Sequence, residues 1–273
     1  MGVHQRTGVD SPVNGEAIVG SPEDVLLRDS HLSEAFKRLE RSEHTTVQDA
    51  ECESLSSPRC VPILRGCIHL LLALMSPLLI VWLMQEVVNE NYIAEYFIAF
   101  VCCILNFSAS AMLHHMPWNM QSYDMCLKLD YACIFLMIGG SAVPSTYAAV
   151  SDNLGVLTTL IQWAGVSLGA VGALAFSFVA SPPSYRLLVY FAAGSPYLYH
   201  CYTLYNIKCF IGLLSACLTL VIYMSGGIIY VKEAPNPSPH YFGFHEIFHL
   251  CCAMALVTTF VGNHKITNFV NDI

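Results

Sequence analysis

The chain has 273 residues, 55% of them hydrophobic and 12% charged, and its mean hydropathy of +0.53 excludes an ordinary soluble domain of that size. The net charge of -8 is concentrated at one end: residues 1–58 carry 11 acidic and 5 basic side chains, while the rest is nearly neutral. No basic surface for nucleic acid follows from that distribution.

In chain order, residues 1–58 come first, rich in Ser, Glu and Asp, with the composition of a disordered acidic tail. It is read as cytosolic and available to a cytosolic partner. Within it Ser21-Pro22-Glu23-Asp24 has the form of a helix start, and Leu32, Phe36 and Leu39 recur at helical spacing. That pattern suits a short amphipathic helix or a fraying segment equally. No apolar run precedes residue 61, so the first hydrophobic run is expected to act as the insertion signal in place of a cleavable signal peptide. Arg6 breaks the N-myristoylation pattern M-G-x-x-x-[ST].

Residues 59–273 form the membrane domain. Seven apolar runs follow one another, at 64–86, 92–114, 128–150, 154–180, 185–206, 208–231 and 244–263. Each is near the ~20 residues that a ~30 Å hydrocarbon core requires. The fifth is the weakest, because Ser195, Pro196 and His200 interrupt it. The fold expected is an all-α integral membrane protein, a seven-transmembrane-helix bundle behind a disordered tail. Most of the 12 cysteines lie inside apolar runs and none forms a C-x-x-C pair, so free thiols packed as small apolar groups are expected. Arg59, Arg65, Lys128, Arg186 and Lys232 fall on the side of the N-terminus, against Lys208 and Lys265 on the other. The N-terminus is therefore expected in the cytosol and the C-terminus outside it.

The last run opens with His245-Glu246-Ile247-Phe248-His249. Two imidazoles four residues apart share a helix face and can close on one metal ion. The match to the H-E-x-x-H of soluble zinc peptidases fails at the third ligand. Cys252 and Ala255 stand where the extended motif needs glycine and histidine, and Asp272 is the one acid downstream. A third ligand must come from another helix. Span parity brings the end of the second run, the start of the third and the start of the seventh to one side of the membrane. At those places stand Ser110 and His114, then Asp130, then His245 and His249.

Any one of these groups has a plainer reading. Asp130 suits a helix cap as well as a site, and His69, His200 and His264 are read as interfacial residues bonded to lipid or backbone. His115 lacks the spacing to Ser110 that His114 has. Five ionisable or polar groups converging at one depth within spans point instead to a functional site. Three protein ligands with an open position is the pattern of a catalytic zinc.

The same residues resemble a family, the hemolysin III and adiponectin/progestin receptor (PAQR) superfamily of seven-helix membrane proteins, on its hemolysin III branch. The likeness runs from Pro62 to about His264. It is carried by Pro62-Ile63-Leu64-Arg65-Gly66-Cys67-Ile68-His69, by Ser110-x-x-x-His114 with Trp118, and by Lys128-Leu129-Asp130-Tyr131 leading to Gly139, Gly140 and Pro144. Gly226-Gly227-Ile228-Ile229-Tyr230, the Pro235 and Pro237 loop and Phe242-Gly243-Phe244-His245-Glu246-Ile247-Phe248-His249 complete it.

The resemblance implies a zinc ion (Zn2+) held by His114, His245 and His249 near the cytosolic leaflet, with Asp130 and Ser110 beside the water it activates. It also implies amide hydrolysis of the ceramidase type, acting on ceramide or another N-acyl lipid that enters from the bilayer. Asp130 is the candidate base with Ser110 as its partner, and Glu246 is the rival. The alternatives are a receptor-like signalling protein with a structural zinc and a pore-forming hemolysin-type protein. Polar stripes through several spans, which a pore needs, are missing. Two departures stand out: Phe244 occupies a position where a small residue is common, and the E-x-x-N-x-x-T-H signature of many receptor members is absent, which counts against a hormone-receptor role.

Overall fold

A computed structural model describes residues 62–86, 90–175 and 178–273. The acidic tail and the helix start at Ser21 lie outside these residues. The described chain is all-helical, with an isolated bridge between Ser238 and Phe242 in a loop.

Helix α1 spans Cys67–Glu86, and a short 3-10 turn then leads into α2, Ile93–His115. Helix α2 stops where Met116 turns extended, because the following Pro117 disfavours a helical residue before it. Helix α3 is Met120–Gly140, begun by Asn119, whose side chain accepts a hydrogen bond from the Ser122 backbone N–H at 2.9 Å. The third run, expected to start at 128, is therefore helical well before that residue. Its first turns are polar, with Asp124 paired to Lys128 at 2.6 Å, and a window that weighs hydrophobicity alone misses them. Lys128 and Asp130 consequently lie inside α3 rather than at its start.

After a turn at Ser141, α4 covers Val143–Ala149 with Pro144 in its first turn, where a missing N–H costs nothing. Helix α5 is Asn153–Ala175, its first turn held by the Asp152 carboxylate, which accepts from Gly155 N–H at 2.7 Å. The fifth run is two helices, α6 at Pro183–Gly194 and α7 at Tyr197–Asn206, parted at the Ser195-Pro196 break that the sequence marks. Helix α8 spans Phe210–Lys232, and α9 runs from Phe244 to Asn271, well beyond the expected end at 263.

Five segments are long and apolar enough to cross a bilayer: Glu90–His115, Gln121–Ala149, Asn153–Ala175, Phe210–Lys232 and Phe244–Asn271. In α1 the shorter stretch Cys67–Leu78 is apolar. The outward faces are hydrocarbon: Leu71, Leu74 and Leu78 on α1, Leu160 and Leu168 on α5 and Leu214 and Val221 on α8 are all exposed. Aqueous proteins do not present apolar surface on that scale, and a lipid-facing surface does.

Helix α9 packs along α8 and also meets α4 and α1, while α3 lies between α2 and α5. The close approach of α2 and α3 depends on Gly140, since a β-carbon there would collide with the Cys102 side chain. All ten described cysteines are free, six of them buried, in agreement with the reading of packed thiols.

Candidate metal centre

The start of α9 is fixed from both sides. Asn236 in the preceding loop accepts from Phe244 N–H at 2.9 Å, and Glu246 reaches back to accept from Gly243 N–H at 2.7 Å. The other Glu246 oxygen accepts from Arg65 Nε at 3.0 Å, in an ion pair where Glu246 is 1% exposed. Both oxygens of Glu246 thus serve the helix start and the clasp to Arg65. This weakens its claim to be the base.

On the first turns of α9, His245 and His249 aim their Nε2 atoms at one another, 2.8 Å apart. His114, on the last turn of α2, brings its Nε2 to 3.2 Å from that of His245. The ligand atoms of all three lie within 4.8 Å of one another and can hold a metal ion. Nitrogens bound to one tetrahedral zinc at ~2.0–2.1 Å stand about 3.3 Å apart, so small adjustments suffice. His115, by contrast, is exposed and outside the trio.

Ser110, one turn before His114, is buried, and its hydroxyl lies near the Asp130 carboxyl. The sequence-derived set thus divides into a histidine trio and a serine–aspartate pair, connected through the shared face of α2.

His69 departs from its reading as an interfacial residue. It is 4% exposed, neither of its ring nitrogens has a hydrogen-bond partner, and its ring centroid is 3.9 Å from that of His249. The sequence signal was present in Pro62–His69, but spacing alone does not say which side of α1 faces α9. His200 too is buried, with Nε2 unpartnered and its ring 5.0 Å from that of Tyr197, rather than bonded at an interface.

Arg186 is a second residue whose role the sequence did not show, since there it served only to orient the spans. It is 7% exposed, donates to the carbonyls of Val179 and Ser181, and lies over the Tyr131 ring at 5.0 Å. Its Nε is buried without a partner, and no carboxylate pairs with it among the described residues. The Tyr131 hydroxyl meets that of Tyr230 at 3.1 Å, and the Tyr230 ring is 6.1 Å from His245. A buried guanidinium short of partners is costly, so this row of polar groups beside the trio suits a polar or anionic ligand group. Phe244 closes against Tyr230 and His245, at 6.4 and 6.2 Å between ring centroids.

A family model described as Haemolysin-III related matches residues 60–260 of the chain. The matched stretch holds His69, Ser110, His114, Asp130, Arg186 and the His245–His249 pair.

Proposed function

The chain belongs to the Haemolysin-III related family, within the hemolysin III/PAQR superfamily, and is an integral multi-pass membrane protein; from its histidine trio we propose a seven-helix, zinc-dependent hydrolase of N-acyl lipids, ceramidase-like, with its site near the cytosolic leaflet. The observation that carries the proposal is the convergence of the Nε2 atoms of His114, His245 and His249 from two helices distant in sequence. Three imidazoles without a thiolate among them match a catalytic zinc better than a closed structural one.

Zinc bound there would supply Lewis acidity to the scissile carbonyl and lower the pKa of a water from ~15.7 towards ~7. Asp130 takes a proton from the attacking water as its oxygen bonds to the acyl carbon. It then gives that proton to the amine nitrogen as the C–N bond breaks, releasing a fatty acid and an amine. Ser110, whose hydroxyl lies near Asp130, orients that carboxyl. Arg186, Tyr131 and Tyr230 bind the polar end of the substrate, and the acyl chain extends between helices into the bilayer.

Ceramide offered to purified protein with and without a chelator tests this reading. Fatty-acid release that stops on chelation and returns with zinc supports it; no zinc-dependent release from any N-acyl lipid ends it. The metal itself is checked separately, by comparing zinc content of the wild type with His249→Ala, which should lose it. One observation favours a second reading. His69 has two unpartnered nitrogens beside His249, and a fourth nitrogen would close the site into a structural zinc in a receptor-like protein.

A further inference from the structure

The segment from Pro62 to His69 touches each member of the histidine trio or its immediate neighbour. Arg65 pairs with Glu246, the residue after His245, at 3.0 Å. Gly66 lies so close to α2 that a β-carbon added to it would fall 2.5 Å from Cβ of His114. One turn on, His69 lays its ring against His249 at a centroid distance of 3.9 Å. The segment is also tied to the loop before α9, by Ile63 N–H donating to the His240 carbonyl at 3.0 Å and Leu64 N–H to that of Tyr241 at 3.3 Å.

We infer that residues 62–69 are a clasp that holds the three histidines in binding geometry, with Arg65 and His69 as positioning residues. The inference rests on the metal reading above. Its physical basis is that imidazoles meeting between α2 and α9 do not by themselves fix ring orientation. Arg65 fixes α9 through a carboxylate that is itself the helix cap, so sliding α9 past the start of α1 breaks the bond to Arg65 and pulls on the residue that holds the cap. His69 holds the His249 ring by close contact at a tilt of 39° between the two rings, which accounts for its burial without a hydrogen bond. The clasp further covers the trio on the side of the connecting loops, so a bound metal leaves slowly.

The test uses full-length protein in detergent loaded with Co2+, and reads the visible spectrum, the metal affinity and the rate at which a chelator strips the metal. Arg65→Met is expected to weaken metal binding about 10–100-fold, the range for losing a group that orients a ligand, and to speed stripping. Arg65→Lys keeps a cation within reach of Glu246 and leaves the cap to Gly243 intact, and should recover part of the loss. His69→Ala should shift the spectrum and speed stripping, whereas His69→Phe, which retains a ring against His249, should stay near wild type. Wild-type spectra and stripping rates in both Arg65→Met and His69→Ala would overturn the clasp while leaving the metal reading intact. Loss in His69→Phe as large as in His69→Ala would replace ring contact by coordination through His69 and also overturn it. A wild type that binds no Co2+ or Zn2+ would remove both the clasp and the functional reading.

Discussion

Asp130 and Glu246 compete on paper for one role, and their partners separate them. Glu246 spends one oxygen on Arg65 and the other on Gly243 N–H, whereas Asp130 meets a serine hydroxyl. Asp130→Asn, nearly the same size, is therefore expected to lower amide hydrolysis about 10²–10⁴-fold, the contribution of a positioned acid–base group, while zinc content and thermal midpoint stay near wild type. Glu246→Gln keeps one acceptor oxygen and loses the other, so it should weaken zinc binding while activity per bound zinc falls far less; zinc assay, thermal melt and turnover on the same preparations check both. Loss of folded protein in Asp130→Asn would instead assign that carboxyl to structure. His114, His245 and His249 were legible in the sequence because a four-residue helical repeat and span parity are both readable from hydropathy. His69 and Arg186 were not, because their significance is a missing partner, and burial without a partner exists only once helices have packed.

At the scale of elements, the trio depends on how α1 enters beside α2. Gly66 has φ of +75, in the left-handed region, and its Cα sits against His114. Alanine there costs about 1–2 kcal/mol for the backbone conformation alone, and its β-carbon must push α1 away from His114. Gly66→Ala is expected to lower thermal stability by at least that much and to weaken zinc binding with it. A variant with unchanged melting and full zinc content would show that the trio does not rely on this approach. Helix α3 teaches a related lesson about limits. Its core run was readable as hydrophobic, but its start was set by the Asn119 cap and a polar first turn. Hydropathy reports what faces lipid, and it is silent where a helix extends past the apolar slab. The same reason hides the last turns of α9, where His264, Asn268 and Asn271 carry the helix past the apolar run. Asn119→Ala should cost about 1 kcal/mol, the usual price of an N-cap side chain, with little effect on zinc binding because none of the three histidines lies on α3.

For the whole molecule, the decisive quantity is the number of crossings. The chain shows five segments that are long and apolar enough to span, plus α1 with a shorter apolar stretch and the α6–α7 pair broken at Ser195-Pro196. Counting α1 and the α6–α7 pair as crossings gives seven, and the count fixes where charges lie. With seven, Arg65, Lys128, Arg186 and Lys232 share the side of the N-terminus, and so do the trio and the Arg186 pocket. That placement is the arrangement expected of a site facing the cytosolic leaflet, since basic residues stay on the cytosolic side. Omitting the α6–α7 pair would send α8 and α9 across in the opposite sense. The start of α9 would then face away from the end of α2, yet His245 and His114 lie 3.2 Å apart. An even number of crossings between those two ends is therefore required by the geometry of the trio, whichever way the protein faces. Epitope tags at Met1 and Ile273, probed in intact and in selectively permeabilised cells, should report opposite sides of the membrane, with Met1 in the cytosol. Tags on the same side would mean an even total, which is incompatible with α1 starting against Glu246 and His114 and ending at the opposite end of α2, and the seven-crossing arrangement with its cytosolic placement of the site would fall.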